Sequence, residues 1–346
     1  MDDSTTNWVT LLAGNDRRGG TSAARTKGPD ELIWKATLPE SIRSSPVLHA
    51  GVLYVTCRDG HLYAFENRTG KERWKFQAGA PIHSTPSISG DLVLFGCDDG
   101  AVYALDHTSG GLRWRAEGGG PIWTSPVVSS GLVYIGSTDG TFKSVDRNNG
   151  HVGWTRQLPG RIHSTAYVSD RLAYFGCSDG RVYALDHASG RDAWVHETGD
   201  SVTAAPAVVN GLVLAGSEDY SVYALDAASG RLRWRVETGL GIASAPAVAD
   251  GRVFVASKDG HLYALALDDG KEVWKSASMR TMTAAPVAGD SIVCIQTHYG
   301  ETHAFDIKTG KELWAANLGG SLQSTPIVTP EAVYLATYQG VVYALR

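Results

Sequence analysis

Short apolar or alternating stretches, each bounded by turn residues, recur along the chain. In one such unit strands are expected from Ile82 to Ser89, Leu92 to Cys97, Ala101 to Leu105 and Gly111 to Ala116. The second and third are joined by Asp-Gly pairs at Asp59-Gly60, Asp99-Gly100, Asp139-Gly140, Asp179-Gly180 and Asp259-Gly260, which supply the positive φ angles of a tight hairpin. The third and fourth are joined through Gly70, Gly110, Gly150, Gly190, Gly230, Gly270 and Gly310. That recurrence is expected of a turn that demands left-handed backbone.

The unit returns with a fixed period. Trp34, Trp74, Trp114, Trp154, Trp194, Trp234, Trp274 and Trp314 stand 40 residues apart, with no insertion. A four-stranded unit of this length cannot bury its own faces and must stack on its neighbours, so the chain reads as an all-β propeller. The series Ser45-Pro46, Thr85-Pro86, Ser125-Pro126, Thr165-Ala166, Ala205-Pro206, Ala245-Pro246, Ala285-Pro286 and Thr325-Pro326 marks eight first strands. Proline suits an innermost strand, which is an edge facing the channel. The eighth unit ends at Arg346 before its outer strand, whereas residues 31–39, with Trp34, precede the first unit. Residues 31–39 are therefore expected to complete the last blade. The result is a single closed eight-bladed β-propeller over 31–346, with 1–30 as an extended leader along the ring.

Charge narrows the functions. The net charge is −5 and the basic residues are spread over all repeats, so no nucleic-acid partner is expected. No apolar run is long enough to span a bilayer. The leader opens acidic and polar, Met1-Asp2-Asp3-Ser4, without the positive start and apolar centre of a secretion signal. As written, the chain is expected in the cytoplasm, or in the periplasm if a signal peptide once preceded it. Cys57, Cys97 and Cys177 share a repeat position with Ser137, Ser217, Ser257, Thr297 and Thr337, which argues for a small side chain at a strand end. With no CxxC spacing, no metal site is expected.

The phrase around Ala64, Glu66, Thr69-Gly70-Lys71-Glu72 and Trp74, repeated at Ala304, Asp306, Thr309-Gly310-Lys311-Glu312 and Trp314, resembles the tryptophan-docking motif of pyrroloquinoline-quinone-type (PQQ-like) propellers. The resemblance covers residues 31–346. Eight blades with little added are similar to the BamB-like, non-catalytic branch of that superfamily, which implies a scaffold that binds a protein or peptide. The quinoprotein dehydrogenases of the superfamily hold their quinone over two sequence-adjacent cysteines. This chain has no such pair, so no PQQ cofactor is expected.

Scaffold residues recur in every repeat, so a site should show as departures confined to a few. At the entry to the inner strand the equivalent residues are Arg43, His83, Trp123, His163, Thr203, Ala243, Thr283 and Gln323. Four consecutive blades carry large basic or aromatic groups and four carry smaller ones, the shape of a pocket furnished on one side. Blade seven departs as well: Gln296 replaces a small residue, His298-Tyr299-Gly300-Glu301 replaces the Asp-Gly hairpin, and His303 replaces a tyrosine. Blade three, opposite in a ring of eight, has Lys143 at that tyrosine position. Both loop sets emerge on one face of a propeller.

Two readings follow. In the first, the propeller is a binding or scaffold module that takes a protein or peptide on one face of the ring. In the second, it is a small-molecule enzyme of isomerase, lyase or cyclase type. There His83, His163 and His298 would act as acid or base, near neutrality and without quinone. Arg43 or Lys143 would hold an anionic group and Trp123 or Tyr299 would stack on a planar one, with Gln296, Glu301 and His303 completing the lining. No nucleophile elbow, phosphate loop or metal-spaced cluster is present, which favours the binding module.

Overall fold

A computed structural model describes residues 31–282, 284–317, 324–329 and 331–346. They form eight four-stranded antiparallel sheets, one per blade. In blade one the strands are Val47–His49, Val52–Thr56, His61–Glu66 and Glu72–Gln77, ordered from the channel outwards. The last blade is completed from the other end of the chain. Strand Leu32–Thr37 pairs antiparallel with Val341–Leu345, behind Val333–Ala336 and Ile327–Val328. The closure is fastened where Glu31 N donates to Arg346 O at 2.9 Å, Arg346 N donates to Glu31 O at 2.8 Å, and Leu38 N donates to Gly340 O at 2.7 Å. The leader, residues 1–30, lies outside the described residues, and no described helix is long and apolar enough to cross a membrane.

The tryptophans couple each blade to the next. Trp194 is 8% exposed, and its Nε1 donates to Ala227 O at 2.9 Å in the following blade. Its ring lies on Gly230, where φ is +70° and an added Cβ would sit 2.6 Å from the indole. The glycine is thus required twice, for its left-handed backbone and for the close approach of the ring. The same contact recurs from Trp34 to Gly70 and from Trp274 to Gly310. Between these anchors the second and third strands are almost wholly buried on both faces, as in Leu92–Gly96 and Ala101–Asp106.

Two local expectations are corrected. The inner strand does not begin at Ile82, because only Ser87–Ser89 forms a ladder. The preceding stretch spends its hydrogen bonds between blades: Ile82 N donates to Cys57 O, and Ser45 N donates to Thr85 Oγ1. Pro86 has no N–H to give, so the proline series lies just ahead of the inner strands. The Asp-Gly hairpins also differ, because only the glycine takes a positive φ. The aspartate instead folds its carboxylate back, accepting from His61 N at 2.9 Å and from Tyr63 Oη at 2.5 Å in the case of Asp59. The cysteine position has its own physical reason. Cys57 and Cys97 donate Sγ–H to Glu40 O and Ala80 O, as Ser217 and Ser257 donate Oγ–H to Asp200 O and Leu240 O.

Candidate functional site

Two rings of residues meet at one mouth of the channel. One is the entry ring that contains Arg43, His83, Trp123 and His163. The other is the first exposed position of each hairpin between the second and third strands: Arg58, Asp98, Thr138, Ser178, Glu218, Lys258, His298 and Tyr338. They share a face because the hairpin backbone is tied to the connector ahead of the entry residue. Asp98 N donates to Pro81 O, and Ser178 N donates to Arg161 O.

The structure brings three of the expected residues together. Trp123 is flanked by imidazoles from the blades on either side, with ring centroids 5.0 Å from His83 and 5.1 Å from His163. Asp98 joins two of them, accepting from Trp123 Nε1 at 2.9 Å and lying 3.2 Å from His83 Nε2. Asp98 was not expected from the sequence. Its ring position differs in every blade, and that variability was the available signal. His163 Nε2 is buried without a hydrogen-bond partner. Burial, with Arg161 adding to it, pushes the imidazole of His163 below its ordinary pKa of 6.5 and so keeps it neutral.

Arg43 stands at the seam between blades eight and one, its guanidinium 5.4 Å from the centre of the Tyr338 ring. His298 and Tyr299 lie on the same mouth in blade seven, and Arg280 lies over Tyr299 at 4.9 Å. Beside them is an open cleft of 420 Å³ lined by Lys258, Met279, Arg280, Thr281 and Tyr299 among others. Opposite charges clamp the next seam, where Lys258 Nζ donates to both oxygens of Glu218 at 2.7 Å.

The remaining expected residues are engaged in contacts of their own, outside the Trp123 cluster. Gln296 is fully buried inside blade seven, with its Nε2 3.4 Å from Thr302 Oγ1 and its Oε1 unpartnered. Glu301 accepts from Thr297 Oγ1 within its own hairpin. His303 turns outward to Glu312, 2.8 Å away, and Lys143 donates to Glu117 O on the outer strand of blade two. Thr283 and Gln323 lie outside the described residues.

Among the described residues no three metal-ligating side chains converge. Trp123 has a tilted imidazole on either side. The four cysteines are buried free thiols, with none adjacent to another in sequence.

Residues 11–196 match the family model described as outer membrane protein assembly factor BamB. Residues 128–346 match that described as the beta-propeller of beta-alanine-activating enzyme. A comparison with curated proteins gives no match. Among solved structures, BamB from Moraxella catarrhalis is similar with a TM-score of 0.81 at 20% identity, over 91% of this chain and 99% of that one. The computationally designed Ika8 protein superposes with a TM-score of 0.83 at 19% identity, over 92% and 99%. Quinohemoprotein alcohol dehydrogenase from Comamonas testosteroni gives 0.79 at 14% identity, over 98% and 80%. At such identities these structures establish the fold alone.

Proposed function

The chain belongs to the PQQ-like propeller families whose models it matches, that of BamB and that of the beta-alanine-activating enzyme propeller, and from this premise we propose that it is a binding module whose mouth takes a polypeptide segment of a partner. The observation that carries the reading is the cluster of Trp123, His83, His163 and Asp98. It is an aromatic cluster contributed by three consecutive blades, with Trp123 its exposed member and with Trp123 and His83 both held by Asp98. Trp123 is 38% exposed, which leaves an indole edge free for a partner while its base is anchored. A ring of eight sheets holds such a surface without further ordering cost, as scaffold propellers require.

Acid–base catalysis is less well supported by the same geometry. His83 is engaged with Asp98, and Nε2 of His163 has no hydrogen-bond partner among the described residues. The description of one matching family as an outer membrane protein assembly factor draws the reading toward the cell envelope, away from the cytoplasm expected from the sequence. The test is selection of a displayed random peptide library on the full chain, with each enriched peptide re-measured on Trp123→Ala. Binders that lose affinity about tenfold or more on that variant support the reading, in line with the cost of removing an aromatic anchor. Binders indifferent to Trp123 would place recognition elsewhere on the ring.

A further inference from the structure

Arginines without an ion pair among the described residues gather on the mouth, although the chain as a whole carries −5. Elsewhere on the ring several arginines are matched to acids, among them Arg113 to Asp106, Arg147 to Asp91, Arg181 to Glu197 and Arg233 to Asp226. On the mouth Asp98 is occupied by His83 and Trp123, and Glu218 by Lys258, while Glu40 and Asp200 on the connectors make no ion pair among the described residues. Arg43 and Arg58 are not so matched. Among the described residues neither makes an ion pair, and the Nε of each is buried without an acceptor. Among the described residues the one side-chain hydrogen bond of Arg58 is a long one of 3.4 Å to Ser41 Oγ. Two guanidiniums gathered on blade one without an ion pair among the described residues make this part of the mouth cationic, and a carboxylate would give them an acceptor.

We propose that the seam between blades eight and one, with Arg43, Arg58 and Tyr338, is a carboxylate-binding subsite, and that the segment taken by the mouth is an acidic one. This rests on the mouth being the binding face. Tyr338 bears on it as well, since the Arg43 guanidinium draws its phenol below the ordinary range and Arg58 adds to the effect. A polypeptide is the occupant because the cations are spread around the mouth. Arg280, exposed on the ring of Tyr299, lies on the connector into blade seven, two blade steps from Arg43. One small anion meets one of these positions, whereas an extended segment with spaced carboxylates meets both. The exposed edges of Trp123 and Tyr299 give its apolar side chains a place to lie.

The test is fluorescence anisotropy of the full chain with a labelled peptide of glutamates and aspartates around two phenylalanines, beside the same peptide with glutamines and asparagines. The acidic probe is expected to bind about tenfold or more tightly than the amide probe, and added salt should weaken it. Arg43→Gln/Arg58→Gln should bring the acidic probe down to the amide level, while Arg233→Gln on the outer surface should change nothing. Arg280→Gln, on an exposed side chain, covers the case in which the double variant melts early, and it should cost several-fold. Equal binding of the two probes that still depends on Trp123 overturns the carboxylate subsite and leaves the binding face standing. Failure of both probes to bind, or acidic binding indifferent to all three arginines, also overturns the subsite. Displacement of the acidic probe by free glutarate at matched carboxylate concentration would overturn the polypeptide assignment.

Discussion

Replacing Trp34 by alanine should open the ring at one place. The indole is 8% exposed, lies on the backbone of Gly70, and donates from Nε1 to Asn67 O at 2.7 Å. Truncating a buried tryptophan costs about 3–5 kcal/mol. Little else holds Leu32–Thr37 in place: its ladder to Val341–Leu345, and an exposed Arg346–Glu31 ion pair of 3.0 Å, which contributes at most about 1 kcal/mol. The loss therefore falls on local opening of that strand. At about 1.4 kcal/mol per tenfold, amide exchange in 31–38 and 340–346 should quicken by roughly a hundred- to a few-thousand-fold. Trp194→Ala is the control, because Trp194 is equally buried and makes the same contact on Gly230. Its strand, Asp192–Glu197, is joined to its neighbour by a short covalent turn. That variant should melt earlier as a whole without selective exchange at its outer strand. Hydrogen exchange read by mass spectrometry checks both. Unchanged protection of 31–38 in Trp34→Ala, or an equal selective opening of 192–197 in Trp194→Ala, would refute the closure argument. Deleting residues 31–39 carries the same reasoning further: the exposed edge should aggregate, and a truncated chain that melts like the full one would refute it.

Three further outcomes are expected. Tyr220 has φ +72° where blades one to four and six to eight have glycine, so Tyr220→Gly relieves about 1–2 kcal/mol of left-handed strain and gives back about 0.5–1 kcal/mol to chain flexibility. The variant should be more stable in urea, and a loss would mean that the half-exposed ring makes contacts worth more than the strain. His163, with its pKa held below 6.5, binds fewer protons folded than unfolded, so its contribution is complete above about 6.5 and declines as pH falls through that window. Denaturation midpoints on either side of pH 6.5 should show the decline, and His163→Gln should flatten it. Gln296 is wholly buried with an unpartnered Oε1, so Gln296→Met should raise stability by about 1 kcal/mol, read from chemical denaturation. Destabilisation by a similar amount would show that the bond to Thr302 outweighs the orphaned acceptor.

The blades were legible in the sequence because each scaffold device is repeated: a tryptophan, the glycine it rests on, and an apolar run between them. Where a device depends on the next blade, periodicity alone misled. The stretch from Ile82 to Pro86 has strand-like composition, yet its hydrogen bonds go sideways to Cys57 and Ser45, a partnership invisible within one repeat. Blade seven shows the same limit. His303 stood out because a tyrosine was missing, but the aspartate that usually anchors that tyrosine is itself Tyr299 here. With that anchor gone, His303 turns to Glu312 on the outer strand. That departure accompanies a lost anchor and does not by itself mark a site.

The mouth was partly legible for a related reason. Comparing equivalent residues around one ring singled out Arg43, His83, Trp123 and His163, but chemistry in a propeller happens between rings. Trp123 reaches Asp98, 25 residues earlier, in the hairpin of the preceding blade. Carried across the ring closure, the same offset joins Arg43 to Tyr338, as found. Applied to the neighbouring seams it pairs the hairpins of blades one and three with His83 and His163, although Arg58 itself turns back toward Ser41 on the connector into blade one. The furnished half of the mouth is thus one continuous arc of four seams, running from Tyr338 and Arg43 through Arg58, His83, Asp98 and Trp123 to His163. On the next two seams the same offset pairs Thr203 with Ser178 and Ala243 with Glu218, so the entry residue is small and the mouth stays open. An arc with unmatched guanidiniums at one end and a flanked indole at the other suits an extended, acidic chain that lies along it. A compact ligand dropped into the channel would use only one part of it.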